Sequence, residues 1–431
     1  MISQNGVSKR KMLDSEQVFV NRANNVFIQF AMEVEHPKYL PIVLEKVKNS
    51  LSGLYTKTDG FNFLSNFKDP STVTIHKIPK EIKTLTDCCD WIYKAYTPNV
   101  DYSLASIAAD DTRIVINSNH SISDGGFFNC LLENIQDPTS NWPFEQQASI
   151  PKDVRNDLFK EEFDKIQKKF EGKNGYDSIL KNKLTHFDLQ EVVDLPDAYN
   201  VIPTPFRAIL KAKELSPFIY DKSSQKVKHL TEFLWTGLCL SICAKNGRFG
   251  PIGVGTCMDF RRLLPKEKID RSFGNCFTNF FVTVKDASPK MTINEICSSF
   301  RDSFNIVKQN NSFFKDFLFP PDFAFPKCPI SYVSNVGPNR IKTPIKDFYA
   351  QCTSTEIGIR PAFLVTSYSK LKKENDMNDV VICMRTSPRV VGRKVSSDVF
   401  ETYLHFLKNV DPRMKSGDVL DELIHFQKSL E

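Results

Sequence analysis

The sequence predicts a mixed α/β protein in two halves, and three observations carry this prediction. The chain has 431 residues, which is more than one ordinary domain contains. Segments with strand-type and helix-type spacing of apolar residues alternate in both halves. A polar connection at about residues 136–199 separates the halves. We therefore predict an N-terminal lobe at 1–199, which includes the connection, and a C-terminal lobe at 200–431.

The first half is predicted from the periodicity of its apolar residues and from its turn signals. Asp110-Asp111 is a turn-forming pair between two apolar runs, and Gly125-Gly126 opens a helical pattern. The predicted elements are strands at 25–33, 102–108 and 113–117, and helices at 39–54, after 125–126 and at 152–170.

The second half contains one helix with recognisable start signals. It is predicted at 231–244, with Thr231 as its N-cap and with Leu230 and Trp235 at the spacing of a hydrophobic staple. The other predicted elements are strands at 252–258, 277–284, 330–334, 362–368 and 380–384, and helices at 399–408 and 419–429.

The composition excludes several classes of protein. The chain carries 57 Lys and Arg against 51 Asp and Glu, and this excess lacks the clustered runs of a nucleic-acid-binding face. No apolar run reaches the roughly 18 residues that a transmembrane helix requires, and residues 1–14 lack the apolar centre of a signal peptide. The 11 cysteines include no CxxC pair, which is typical of reduced cytosolic thiols. We expect a cytoplasmic protein without a nucleic-acid partner or a membrane span.

Bound cofactors and metals find no support in the sequence. Apart from His120, the histidines show no metal-ligand spacing with one another or with the cysteines. No phosphate-binding loop, dinucleotide fingerprint or Gly-x-Ser-x-Gly elbow occurs. We predict no metal site and no resident cofactor.

The segment from His120 to Gly125 is the strongest candidate for chemistry. His120 leaves the end of a predicted buried strand and precedes a glycine pair that opens a helix. A strand fixes the position of such a side chain while the loop exposes it. Its near-neutral pKa makes histidine the usual general base, which can later return the proton to a leaving group. The same residues also suit an ordinary Asp-Gly turn beside a histidine without a function.

His120-Ser121-Ile122-Ser123-Asp124-Gly125 resembles the His-x-x-x-Asp-Gly signature of a coenzyme A-dependent acyltransferase superfamily. Its members include chloramphenicol acetyltransferase, plant BAHD enzymes, fungal alcohol acetyltransferases, mycobacterial polyketide-associated acyltransferases, wax ester synthases and peptide-synthetase condensation domains. Three other segments resemble family motifs in the same order: Met12–Glu16, Asp259–Pro265 followed by Phe273-Gly274-Asn275, and Ser334–Pro338.

The resemblance implies two chloramphenicol-acetyltransferase-like lobes, each a mixed β-sheet with flanking helices, with a central tunnel between them. His120 would activate an alcohol or amine that attacks an acyl-CoA thioester, acyl-CoA being a substrate in a monomeric enzyme. Asp124 would pair with Arg261 and support the site rather than act on the substrate. Backbone N–H groups of Gly125 or Gly126 are candidate oxyanion donors. Asn335 would bind the donor or the intermediate, or it simply forms a turn before a glycine.

The sequence also departs from some branches of the superfamily. The Asp-Phe-Gly-Trp-Gly motif of plant BAHD enzymes is absent, and Asn119 stands where condensation domains usually carry a second histidine. Both departures favour stand-alone alcohol or lipid acyltransferases. Two alternatives stay open: transfer from a carrier-protein thioester, and a catalytically silent binding protein of the same fold.

Overall fold

The structure, a computed structural model, forms two compact units that interleave along the sequence. Unit 1 comprises Met1–Glu161, Asp259–Phe277 and Arg340–Ile357, and unit 2 comprises Glu162–Met258, Thr278–Asn339 and Gly358–Glu431. The sequence predicts two continuous lobes, 1–199 and 200–431, whereas each unit combines three separate segments of the chain. The residues that the structure describes are 2–4, 7–20, 26–60, 62–66, 73–140, 150, 153–170, 183–188, 205–221, 226–264, 274–318, 331–354, 362–371, 379–386 and 391–431.

Helices and strands alternate through both units. The α-helices are α1 Asp14–Gln17, α2 Leu40–Ser50, α3 Leu85–Tyr96, α4 Gly125–Gln136, α5 Lys160–Phe170, α6 Leu230–Lys245, α7 Ile293–Gln309, α8 Phe313–Leu318, α9 Arg393–Asn409 and α10 Ser416–Lys428. The strands are β1 Ile2–Gln4, β2 Val7–Lys11, β3 Val26–Val34, β4 Thr56–Asp59, β5 Phe63–Asn66, β6 Ile75–Lys77, β7 Ala105–Ala109, β8 Arg113–Asn119, β9 Phe206–Lys211, β10 Tyr220–Asp221, β11 Lys226–Val227, β12 Gly253–Asp259, β13 Phe277–Thr283, β14 Ser331–Arg340, β15 Ile345–Ser354, β16 Phe363–Leu371 and β17 Asp379–Thr386.

The main sheet of unit 1 carries the candidate site at the end of one of its strands. Its order is β15-β3-β8-β7-β6, and only the β6–β7 pair is parallel, so the sheet is mixed. Strand β3 has β-branched and aromatic residues on both faces and is buried along nearly its whole length, as expected for the interior of a sheet. Its pairing with β8 sets Phe27 opposite Asn119, the residue before His120.

Unit 2 contains a six-stranded sheet of order β13-β12-β14-β16-β17-β9, in which β12 and β14 run parallel. Helix α6 is buried continuously from Glu232 to Ala244, which is the pattern of a core helix rather than a surface one. Among the described residues, no helix is long and apolar enough to cross a membrane.

Most predicted elements are present, but the predicted start of α6 is wrong. His229, in the left-handed region with φ 55°, is the N-cap, and Thr231 lies inside the first turn. The Thr231 hydroxyl accepts a hydrogen bond from Asn335 Nδ2 instead of capping the helix. The elements that were not predicted are strands β1, β2, β4, β5, β6, β9, β10, β11 and β15, and helices α1, α3, α7 and α8. Pro265 and Phe273, together with most of the predicted connection, lie outside the described residues.

Candidate active site

His120 follows strand β8 directly, and its backbone is held from two sides. Its N–H donates to the carbonyl of Val26, the first residue of β3, at 2.8 Å. Its own carbonyl accepts a hydrogen bond from Nδ2 of Asn275 at 2.9 Å. These bonds fix the backbone of His120 between the start of strand β3 and the segment that follows Gly274.

Two phenylalanine rings pack against the imidazole of His120. The Phe19 ring lies nearly parallel to it, with ring centroids 4.5 Å apart and an interplanar angle of 11°. The Phe277 ring lies 5.1 Å away and is tilted by 40°. His120 as a residue is half-buried, and its Nδ1 is buried, so the ring stands in a packed environment.

Asp124 serves the loop and the helix rather than extending the histidine into a triad. It is the N-cap of α4, where Oδ1 accepts from the N–H of Phe127 at 2.7 Å. Nη1 of Arg261 donates to Oδ1 at 2.8 Å and to Oδ2 at 3.0 Å, and the N–H of Cys276 donates to Oδ2 at 2.7 Å. The carboxylate therefore joins the start of α4 to two segments from residues 259–277.

Arg261 is the matching buried cation. Its side chain is 4% exposed, and Nη1 also donates to Oδ1 of Asp259 at 3.1 Å, while Nη2 donates to the carbonyl of Gly274. Burial lowers the pKa of this guanidinium, but the carboxylates of Asp124 and Asp259 outweigh that effect and raise it well above its ordinary value. Arg261 is therefore charged, and this charge is neutralised inside unit 1.

Gly126 leaves room for this ion-pair cluster. A Cβ at this position would overlap the carboxylate of Asp259 and lie 2.7 Å from Nη1 of Arg261. The Asp259 carboxylate is the more exposed of the two acids, at 30%, and desolvation raises its pKa, against the attraction of Arg261. A side chain at residue 126 would therefore displace the charges that hold the loop of His120.

Gly125 and Gly126 occupy the first two positions of α4, where backbone N–H groups have no carbonyl acceptor within the helix. The next N–H, that of Phe127, is already bonded to Asp124. The N–H groups of Gly125 and Gly126 are therefore the candidate hydrogen-bond donors to an oxyanion at this end of α4.

Asn335 lies in strand β14, within unit 2. Its Nδ2 donates to the hydroxyl of Thr231 in α6 at 2.8 Å, and its Oδ1 accepts from the N–H of Gly337 at 3.2 Å. Gly337 has φ 93°, a conformation that favours glycine. The Asn335 side chain therefore ties β14 to α6.

The whole chain resembles solved acyltransferases and condensation domains in structure, at low sequence identity. The trichothecene 15-O-acetyltransferase of Fusarium sporotrichioides gives a TM-score of 0.61 at 12% identity, covering 94% of this chain and 96% of that chain. The condensation domain of the Monacolin K polyketide synthase gives 0.63 at 10% identity, covering 95% and 99%. Polyketide synthase associated protein 5 from Mycobacterium tuberculosis gives 0.58 at 11% identity, covering 93% and 98%. The chain has the fold of these proteins. No protein-family model and no curated protein matches it in sequence.

Sequence reasoning missed four residues that contact His120 or its loop: Phe19, Asn119, Asn275 and Phe277. Phe19 and Asn275 are separated from His120 by about a hundred residues or more, and no local pattern pairs them with it. Asn119 was noted only as a departure from condensation domains. It is fully buried, and its Oδ1 accepts from the N–H of Ser121 at 2.9 Å, so it shapes the loop. The Gly-Asn pair of the second motif was the available signal for Asn275.

Proposed function

We propose that this protein is an acyltransferase that moves an acyl group from an acyl-CoA thioester to an alcohol or an amine. The observation that carries the proposal is the loop of His120. His120 is half-buried and follows the end of strand β8. The buried Asp124–Arg261 pair, at 2.8 Å, holds the loop that follows it. The acyltransferase and condensation-domain fold agrees with this chemistry.

His120 would take the proton from the acceptor as its oxygen or nitrogen attacks the thioester carbonyl. The tetrahedral intermediate carries an oxyanion, and the N–H groups of Gly125 or Gly126 would donate hydrogen bonds to it. Collapse of the intermediate breaks the carbon–sulfur bond, and His120 returns its proton to the departing thiolate. Alignment of both substrates supplies much of the rate, because it removes the entropy cost of their encounter. No covalent acyl-enzyme is required.

The test is release of free thiol from short and long acyl-CoA thioesters, with alcohols and amines as acceptors. We expect His120→Ala to lower turnover by roughly 10²–10⁴-fold, the usual contribution of a general base. His405→Ala is a matched control, because His405 is a half-buried histidine of unit 2 that pairs with Glu422 at 2.9 Å. Equal rates for the parent and His120→Ala would remove the base assignment.

The same assay separates the two alternatives. Acyl groups attached to a phosphopantetheinylated carrier protein replace acyl-CoA in a second series. Turnover confined to that series would favour the condensation-type reaction, to which the solved condensation domains of this fold point. Absence of turnover with every donor, together with measurable binding of a thioester, would favour a binding protein.

A further inference from the structure

The Phe19 ring presents its face to the imidazole of His120. The near-parallel geometry, 4.5 Å between centroids at 11°, differs from the tilted contact with Phe277 at 40°. The face of an aromatic ring carries partial negative charge. A cation held over that face is therefore attracted to it, whereas a neutral ring gains much less.

Hydrogen bonds to the backbone fix the position of Phe19 relative to His120. The carbonyl of Phe19 accepts hydrogen bonds from Nδ2 of Asn119 at 3.0 Å and from the N–H of Val26 at 3.4 Å. The carbonyl of Val26 in turn accepts from the N–H of His120 at 2.8 Å. Asn119 immediately precedes His120, so a closed path of hydrogen bonds and covalent bonds joins Phe19 to His120.

The segment that carries Phe19 is itself anchored in unit 1. Arg10 donates to both oxygens of Glu16, at 2.8 and 2.6 Å, and Glu16 also accepts from the N–H of Leu13 at 2.8 Å. Val20 is 1% exposed and belongs to the same apolar cluster as Ile122 from the His120 loop. These anchors, three residues before Phe19 and one after it, restrict how far its ring can move from the imidazole.

We propose that Phe19 is a positioning residue that orients the imidazole of His120 and stabilises its protonated form during the reaction. The inference rests on the proposed role of His120 as general base. The base is neutral before the attack and cationic once it has accepted the proton, so the stacking attraction grows towards the transition state. Such differential interaction accelerates the chemical step rather than merely tightening substrate binding.

The experiment compares Phe19→Leu, which removes the aromatic face, with Phe19→Tyr, which keeps it. Titration of the histidine ring signals by NMR, with His120→Ala used for assignment, measures the protonation of His120 directly. Phe426→Leu is the matched control, because Phe426 stacks on His405 with centroids 4.1 Å apart at 22°. That variant should leave both the His120 signals and turnover unaltered.

We expect Phe19→Leu to lower the pKa of His120 by roughly 0.4–1.5 units, the range that cation–π attraction covers. The acid limb of the kcat/KM profile should shift to lower pH by the same amount, because the unstacked imidazole stays neutral further into acid. On the pH plateau kcat should fall by about 2–30-fold with KM nearly unchanged, and Phe19→Tyr should restore both quantities.

Two results would overturn the inference. One is an unchanged His120 titration in a folded Phe19→Leu variant. The other is a loss in Phe19→Leu that appears only in KM. The charged groups near this segment and loop are Arg10 with Glu16, and Asp124 and Asp259 with Arg261. All of them are present in both the parent and Phe19→Leu, so the difference between the two titrations reports the loss of the aromatic ring. The NMR titration does not depend on turnover, so a parent protein without acyltransferase activity would contradict the proposed function and still leave the stacking effect measurable.

Discussion

Replacing Asp124 should lower the stability of the fold around the His120 loop rather than remove a step of the proposed reaction. The Asp124 carboxylate is 3% exposed and Arg261 is 4% exposed, with 2.8 Å between Oδ1 and Nη1. In Asp124→Ala the guanidinium of Arg261 would stay buried with only the more exposed Asp259 and the Gly274 carbonyl as partners. Helix α4 would also lose its N-cap.

The expected magnitude follows from these two losses. Breaking a buried ion pair by removing one partner costs about 3–5 kcal/mol, and losing an aspartate N-cap costs about 1 kcal/mol. Asp259 remains 3.1 Å from Nη1 of Arg261, which offsets part of the first term. We therefore expect Asp124→Ala to lower the free energy of unfolding by about 3–5 kcal/mol, a large share of the roughly 5–15 kcal/mol that stabilises most proteins.

The assay is urea unfolding, monitored by circular dichroism, of Asp124→Ala, Asp124→Asn, Arg261→Met and the double variant Asp124→Asn/Arg261→Met. Asparagine keeps an oxygen that can cap α4, so this variant isolates the charge. The double variant should cost less than the sum of the single variants by about 1–3 kcal/mol, because neither charge is left buried alone. Arg413→Met is the control: the Arg413 side chain is 72% exposed and pairs with Asp411, so its loss should change stability little. An Asp124→Ala protein that is as stable as the parent yet inactive would refute this reasoning.

Two further predictions concern other buried groups. Gly126→Ala should lower the free energy of unfolding by about 1–3 kcal/mol despite the better helix propensity of alanine, because its Cβ overlaps the Asp259 carboxylate. Thermal unfolding measures the loss. The control is Gly250→Ala, where the nearest neighbour of the added Cβ is Cys243 Sγ at 3.9 Å. Burial raises the pKa of the Cys239 thiol from 9.0 to about 12, so the unfolded chain ionises this thiol first and stability should fall as the pH rises from about 9 towards 12. Urea unfolding over that range gives the slope of the free energy of unfolding against pH. This slope should be shallower in Cys239→Ala than in the parent by at most about 1.4 kcal/mol per pH unit, and identical slopes would contradict the prediction.

Local patterns in the sequence predicted most of the elements that surround the site. Strand β3 is a nearly continuous apolar run, helix α4 has helical apolar periodicity, and the glycine pair marks its start, so local signals sufficed. Strand β15 was missed because its polar residues, including Gln351 and Thr353, are buried beside β3. Polar residues in a sequence predict exposed positions, so they hid this buried strand. The N-cap of α6 was misassigned because Thr231 has the right chemistry for a cap, whereas Asn335, about a hundred residues away, binds its hydroxyl.

The sequence by itself determined the identity and spacing of the residues in the candidate catalytic loop. A histidine, an aspartate and two glycines at fixed separations are local facts, and their relation to a strand and a helix follows from local periodicity. Only the tertiary structure decided what surrounds the imidazole. Phe19 stacks on it and Asn275 binds its backbone, although these residues come from opposite sides of it in the sequence. Packing and burial bring such residues together, and both depend on the whole folded chain rather than on any short segment of it.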